Sequence, residues 1–125
     1  MAEPAGRRTI RSGSRWEPLV GYARAIRVGD AIAVSGTVGD GADAYQQTRS
    51  AIATIARALG EAGADLSDVV RTRIFVTDIE RDWEQVARAH REAFAHVEPA
   101  CSMIEISRLI APEFVVEVEA DAIKR

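Results

Sequence analysis

The sequence is short of features that mark several protein classes. It has one cysteine, Cys101, among 125 residues, so no disulfide can form within the chain, and a reducing compartment is the simpler location. No segment approaches the roughly 18 consecutive apolar residues of a membrane-spanning helix. The arginine-containing N-terminal segment is not followed by an apolar run of signal-peptide length. We therefore expect a cytoplasmic protein with no membrane association.

An excess of charge of one sign is also missing. The chain has 19 acidic and 16 basic residues, for a formal net charge of -3, so it has no general attraction to nucleic acids or anionic membranes. Aromatic residues make up 6% of the chain. The sequence shows no platform of aromatic and basic side chains of the kind that binds single strands. We do not expect nucleic acid as a partner.

Metal-binding and phosphate-binding motifs are absent from the sequence. No spacing of histidine, cysteine and acidic residues resembles a metal site, and the glycines do not form a phosphate loop. We therefore expect neither a metal nor a cofactor. What is present is 47% hydrophobic residues, enough for a core in a chain of this length. The expectation is a single domain over residues 1–125.

Turn-forming residues divide the chain into segments of two kinds, which differ in the spacing of their hydrophobic residues. Alternating segments predict strands, and apolar residues three and four apart predict helices. The Gly29-Asp30 pair is a hairpin signal, while Pro18 and Gly21 predict a loop at 16–21. The predicted strands are 7–12, 22–28, 31–36, 69–78, 101–107 and 114–123, and the predicted helices are 44–60 and 80–96. This β-β-β-α-β-α-β-β order predicts an α+β domain, one mixed sheet with two helices on one face.

The two faces of the predicted sheet differ in chemistry. In segment 114–123 apolar residues alternate with acidic ones, and in segment 69–78 two sets alternate. One set is Val70, Thr72, Ile74 and Val76, and the other is Arg71, Arg73, Phe75 and Thr77. Two helices cover only one face, so the other is expected to carry mixed charges with Phe75 and Met103. Such a face fits a solvated surface with cross-strand ion pairs or a subunit interface, and the pattern leaves both open.

Three segments match one known pattern, in order and at the right spacing. Residues 21–39, GYARAIRVGDAIAVSGTVG, are similar to G-P-Y-S-Q-A followed by V-x-x-S-G. Residues 59–79 contain AG and DVVRTRIFVTD, similar to A-G and D-V-V-K-x-x-V-F-V-x-D. EPACSMIEISRL and VVEVEADAI are similar to P-A-R-S-x-V-x-V-x-x-L and I-E-I-E-A-x-A. Together they resemble the RidA/YjgF family of reactive-intermediate deaminases, whose members are also named endoribonuclease L-PSP.

This resemblance implies a fold, an assembly and a chemistry. The fold is a chorismate-mutase-like α+β domain, and the assembly is a homotrimer with a small-molecule ligand cleft at each subunit interface. Family members of the best-known type hydrolyse enamines and imines to a 2-oxo acid and ammonia. By position, the resemblance assigns the cleft tyrosine to Tyr22, the serine to Ser35 and the glutamate near the water to Glu119.

The chain departs from the family at the substrate anchor. The family's arginine follows Pro-Ala, and here Cys101 follows Pro99-Ala100. Arginine offers a permanent charge and a bidentate fork for a carboxylate, whereas a thiol is mostly neutral at pH 7. Losing a charge-assisted bond costs about 1.5–3 kcal/mol, or roughly tenfold to a hundredfold in affinity. We therefore expect no efficient turnover of 2-iminobutanoate, unless a displaced arginine, Arg24, Arg73 or Arg108, anchors the substrate.

Each candidate residue also has a purely structural interpretation. Glu119 could pair with Arg71 or Arg73 across the sheet, and Tyr22 could be a packed aromatic side chain. Ser35 could end a strand through local backbone bonds, and Cys101 could be an inert small residue or a reactive thiol. A histidine on the apolar stripe of the second helix, His90, fits a packed residue better than a base.

Two classes of function therefore remain open. One is a hydrolase acting on a small imine, enamine or carbonyl compound, with Glu119 and Tyr22 as catalytic residues and Ser35, Cys101 and Arg73 in contact with substrate. The other is a non-catalytic trimer that binds a small metabolite or a partner protein in the same cleft. Ribonuclease activity, long attached to the family's names, has little support from the net charge of -3.

Overall fold

One six-stranded mixed sheet organises the chain. The structure, a computed structural model, describes residues 6–125. The strands are β1 (Arg7–Ile10), β2 (Ala25–Val28), β3 (Ala31–Thr37), β4 (Val69–Val76), β5 (Ala100–Glu105) and β6 (Val116–Ile123). Their order in the sheet is β1-β2-β3-β6-β4-β5. The β4–β5 pair is parallel and the other pairs are antiparallel. The predicted α+β class is confirmed, and every predicted strand and helix starts and ends within three residues of its expected bounds.

Two long helices cover one face of this sheet. They are α2 (Ala44–Glu61) and α3 (Ile79–Phe94), and a short helix, α1 (Trp16–Val20), precedes β2. Asp43 begins α2 by accepting a hydrogen bond from the backbone N–H of Gln46 at 2.8 Å, and Asp78 does the same for α3 from Arg81 at 3.1 Å. Between residues 6 and 125, no helix is long and apolar enough to cross a membrane.

The core lies between this face and the two helices. On β6 it contains Val116, Val118, Ala120 and Ala122, all 2% exposed or less, as the alternation predicted. Burying one such valine stabilises the fold by about 1.5–3 kcal/mol. The Gly29-Asp30 hairpin between β2 and β3 is also confirmed, with Gly29 in the left-handed region at φ 59°.

The predicted loop at 16–21 is wrong, because residues Trp16–Val20 form α1. Pro18 is the third residue of this helix, where its missing N–H has no intrahelical partner to lose. Gly21 ends the helix at φ 90°, and its N–H donates to the carbonyl of Glu17. Both residues that signalled a loop are thus compatible with a very short helix, Pro18 in its first turn and Gly21 at its C-terminal end.

Two residues lie on the opposite side of the sheet from the one predicted. A register shift between Val69 and Arg71 gives Val69 the buried position and leaves Val70 46% exposed. Met103 is in register with Ile74 across the parallel pair and packs against the core. Residues opposite each other in a ladder share a face, so Met103 is not on the uncovered face.

The uncovered face carries cross-strand ion pairs, which belong to one of the two interpretations that the sequence pattern left open. The guanidinium of Arg73 on β4 lies 3.2 Å from Glu119 and 3.2 Å from Asp121 on β6. All three side chains are roughly one-third exposed or more, so each pair contributes at most about 1 kcal/mol. These contacts place charges of both signs on the outer face, and its role as a subunit interface stays a prediction.

Candidate functional site

A buried charged pair anchors the segment between β1 and β2. Glu17 on α1 and Arg24 just before β2 are each 4% exposed, and their side chains approach to 3.4 Å. The Glu17 carboxylate also accepts bonds from the backbone N–H and hydroxyl of Ser12. Burial alone would raise the pKa of Glu17, but the Ser12 bonds and the Arg24 charge outweigh it and hold that pKa below its usual value. The pair is therefore charged at neutral pH.

The guanidinium of Arg24 is saturated by this environment. Its donors meet Ser12 Oγ (3.3 Å), the Gly36 carbonyl (2.7 Å), Thr37 Oγ1 (3.1 Å), Glu17 Oε2 (3.4 Å) and the Tyr22 hydroxyl (3.2 Å). A guanidinium has five N–H groups, so none is left for a ligand. The bond to Tyr22 uses that hydroxyl as an acceptor, which leaves its proton available to a molecule in front of it.

A cleft of about 360 Å³ opens beside this cluster. Its polar walls include Tyr22, Thr37 and Glu117, and its apolar walls include Trp16 and Ile110. Helix α2 closes another side with Thr54 and Arg57. The cleft therefore joins an acidic group, a hydroxyl donor and a basic group around a space large enough for a small metabolite.

Glu117 enters the cleft because of an irregularity in the neighbouring strand. The register between β3 and β6 shifts between Val34 and Thr37, at Ser35 and Gly36. Gly36 has no side chain, and an added Cβ there would lie 2.8 Å from the Glu117 carboxyl carbon. The bulge and the glycine together make room for the carboxyl group.

The environment of Glu117 favours its protonated form. Burial raises its pKa, the neighbouring charge of Glu119 raises it further, and Arg24 lowers it, with a net upward shift. Between residues 6 and 125, the side chain of Glu117 has no hydrogen bond or ion pair. A half-buried, unpaired carboxyl group with a raised pKa is a candidate for proton transfer to and from a bound molecule.

A second concavity of about 790 Å³ adjoins the first and shares Tyr22 with it. Ser35 lines this concavity, and its hydroxyl donates to the carbonyl of Ala23 at 2.6 Å. The structure thus brings Tyr22 together with Ser35 in one concavity and with Glu117 in the other. This bond joins Ser35 to a carbonyl 12 residues earlier in the chain, so it is not the local strand-ending contact that the sequence also allowed.

The other sequence-predicted site residues lie elsewhere in the chain. Glu119 and Arg73 pair with each other and line neither concavity. Cys101 is exposed on β5, at the opposite edge of the sheet from β1. Within one chain, Cys101 and Arg73 are therefore not part of the Tyr22 cleft.

Glu117 is the residue that the sequence reasoning missed. The alternation in VEVEA places Glu117 and Glu119 on the same face, so periodicity does not choose between them. The available signal was Gly36, because a glycine in the adjacent strand leaves space for only the carboxyl group opposite it.

His90 has the packed role expected from its position. Its Nε2 lies 2.8 Å from the hydroxyl of Thr72, and its ring lies 4.7 Å from that of Phe94. Burial lowers the pKa of His90, so the ring is neutral at neutral pH and contributes to the core.

The fold and the cleft define a small α+β protein with a carboxyl group at a bulged strand. The sequence profile of the Endoribonuclease L-PSP family matches residues 12–124. The chain belongs to this family, which is the RidA/YjgF family that its sequence resembles.

Similarity to individual proteins extends over nearly the whole chain. The crystal structure of Rv2704 from Mycobacterium tuberculosis, a YjgF/YER057c/UK114 family member, has a TM-score of 0.91 and 52% identity, covering 94% of this chain and 98% of that one. The protein SCO2049 from Streptomyces coelicolor is 37% identical over 123 residues, 92% of this chain and 90% of that one. The 3-aminoacrylate deaminase RutC from Acinetobacter baylyi is 29% identical over 113 residues, 84% of this chain and 88% of that one.

Proposed function

We propose that this protein hydrolyses the C–N bond of a small imine or enamine in the cleft that contains Glu117 and Tyr22. The observation that carries the proposal is the half-buried, unpaired carboxyl group of Glu117 with its raised pKa. The similarity to 3-aminoacrylate deaminase RutC supports a deamination. A carboxyl group that both takes and returns a proton is what such a reaction needs.

The reaction follows from the groups in the cleft. Glu117 accepts a proton from water as the water oxygen bonds to the carbon of the protonated imine. The resulting carbinolamine receives this proton on nitrogen. Its C–N bond then breaks as Glu117 takes the hydroxyl proton, so that a carbonyl compound and ammonia form, and the ammonia leaves with that proton as ammonium. An enamine first takes a proton on carbon to become the same iminium ion. Tyr22, held by Arg24 through its oxygen, donates its hydroxyl proton to the bound substrate or water.

We assign the carboxyl role to Glu117 rather than to Glu119, the residue predicted from the sequence. The carboxylate of Glu119 lies 3.2 Å from Arg73 and outside the cleft. This ion pair suits charge balance on the outer face better than proton transfer. Glu119 still acts on the reaction, because its charge contributes to the raised pKa of Glu117.

The assembly we propose is a homotrimer in the cytoplasm, with each cleft completed by a neighbouring subunit. The resemblance to the RidA/YjgF family supports this assembly. Within one chain Cys101 lies on an edge strand away from Tyr22, so in this assembly the two would share a cleft across subunits. A thiol in the anchor position makes 2-iminobutanoate a poor substrate.

A non-catalytic binding trimer is the second candidate, and the observation that favours it is Cys101 in the anchor position. A cleft that only binds a metabolite has no need of the proton on Glu117. The two candidates therefore differ in what a change at Glu117 does to turnover and to binding.

The test is ammonia release from 3-aminoacrylate, 2-iminobutanoate and imines generated in place by an amino-acid oxidase. Glu117→Gln is the test variant, and Glu119→Gln is its control on the same strand and face. We expect turnover of at least one compound other than 2-iminobutanoate, abolished in Glu117→Gln and retained in Glu119→Gln. Ligand binding without turnover of any compound would establish the binding trimer instead.

A further inference from the structure

The missing family arginine raises the question of what holds an anionic substrate here. Arg24 has every N–H group committed to the protein. Arg73 pairs through Nη1 with Glu119 and Asp121 and does not line the cleft. The third candidate from the sequence, Arg108, does not line the cleft that contains Glu117. None of the three displaced anchors that the sequence suggested is thus available in that cleft.

A different arginine, Arg57 on α2, lines the same cleft as Glu117. Its Nη2 donates to the hydroxyl of Thr54 at 3.0 Å, and Thr54 is itself a cleft residue one turn earlier. Among residues 6–125, Arg57 forms no ion pair, not even with Glu61 four residues later on the helix. The Arg57 side chain thus lies at the cleft wall beside Thr54, and most of its N–H donors are unused within the described residues.

We propose that Arg57 is the anion anchor of this cleft, and that the substrate is an imino or enamino carboxylate. Its carboxylate binds Arg57 while its C–N carbon lies at Glu117, an arrangement that rests on the proposed function. Arginine binds a carboxylate through two parallel N–H···O bonds, which fix orientation as well as charge. Trp16 and Ile110 contact the carbon chain between the two ends.

This arrangement accounts for the thiol at position 101. With the anchor on α2, the carboxylate is held by the same chain that supplies Glu117 and Tyr22. The position occupied by Cys101 is then free of the requirement for a charge. The substrate that fits also has a different distance between its carboxylate and its reacting carbon, because the anchoring arginine lies on α2 and not on the edge strand β5.

The test measures binding to the full chain in its solution assembly by isothermal titration calorimetry. The probes are 2-oxobutanoate and 4-oxopentanoate, which differ in the spacing of carboxylate and carbonyl, each paired with its uncharged amide. The variants are Arg57→Gln, Arg57→Lys and the control Arg49→Gln. Arg49 is also an exposed arginine on α2, but it lies at the Tyr45 ring and outside this cleft.

We expect the unmodified protein to prefer at least one carboxylate over its amide. Arg57→Gln should weaken carboxylate binding by about tenfold to a hundredfold and leave amide binding unchanged, Arg57→Lys should lose less, and Arg49→Gln should lose nothing. Equal binding of carboxylate and amide by the unmodified protein overturns the anchor. So does an Arg57→Gln variant that keeps the preference while its thermal unfolding matches the unmodified protein.

Glu117→Gln separates this inference from the proposed function. If it retains the carboxylate preference and loses turnover, both stand. If Glu117→Gln loses turnover while Arg57→Gln binds carboxylates normally, the proposed hydrolase function is supported and the role of Arg57 as anchor is overturned. If no compound is turned over but the preference depends on Arg57, the anchor stands in a binding protein.

Discussion

Gly36 on β3 and the carboxyl group of Glu117 on β6 share one space. A Cβ atom on residue 36 would lie 2.8 Å from the carboxyl carbon of Glu117, a contact too short for any pair of carbon atoms. The backbone at Gly36 is also held, because its carbonyl accepts a 2.7 Å hydrogen bond from Arg24. The side chain of Glu117 is therefore what would have to move.

Gly36→Ala is expected to displace the Glu117 carboxyl group and reduce turnover by about tenfold or more. The fold should change little, since the displaced atoms are the end of a flexible side chain. Ammonia release and thermal unfolding measure the two effects. The control is Gly60→Ala, where an added Cβ meets no atom within 4 Å, and which should stabilise α2 by about 0.5–1 kcal/mol. Full turnover in Gly36→Ala would show that the carboxyl position is unimportant.

Glu119→Gln is expected to shift the acid limb of the pH–rate profile to lower pH. Burial is the main cause of the raised pKa of Glu117, and the charge of Glu119 adds to it. Removing that charge lowers the pKa of Glu117, so a larger fraction is deprotonated and able to accept a proton from water at acidic pH. Asp121→Asn is the control, since Asp121 shares the Arg73 partner. A limb that stays in place or moves upward contradicts this electrostatic coupling.

Cys101→Arg is expected to raise turnover of 2-iminobutanoate by about tenfold to a hundredfold. The new guanidinium would restore the family's carboxylate contact, provided that Cys101 faces the cleft of a neighbouring subunit. Release of ammonia, with the imine generated by a threonine dehydratase, measures the gain, and Cys101→Ser controls for loss of the thiol. An inactive arginine variant would mean that the cleft has diverged beyond its anchor.

Glu17→Met and Arg24→Met are each expected to lower the free energy of unfolding by about 3–5 kcal/mol, because each leaves a buried charge without its partner. The double variant should cost less than the sum of the two. Urea denaturation at one fixed protein concentration measures the double-mutant cycle. Additive losses would show that the two side chains contribute independently despite their 3.4 Å separation.

The fold could be predicted in detail because its signals are local. Alternation along β6 fixed which side chains enter the core, and Gly29 with Asp30 fixed the hairpin between β2 and β3. The errors occurred where a single residue changes the register or a boundary. The register shift at Val70 places its side chain on the opposite face of the sheet from the one predicted. Pro18 predicts a loop unless the start of α1 is known.

The candidate site could be predicted only in part. Tyr22 and Ser35 do line the joined concavities, since their positions depend on the chain just before β2 and on β3. The choice between Glu117 and Glu119 depends on a bulge in another strand, which alternation does not reveal. Arg57 carries no sequence signal, because its role depends on which side of α2 faces the cleft and on Glu61 leaving it unpaired.

The saturated guanidinium of Arg24 divides the cleft into two parts for protein engineering. The floor is tied to that one cation through acceptors from four stretches of chain, so replacing any of them disturbs the others. The rim, formed by Trp16, Thr54, Arg57 and Ile110, has no bond to it. A library designed to change substrate preference should therefore vary the rim and leave the floor intact. Substitutions at the rim can alter substrate selectivity without disturbing the residues that are bonded to Arg24.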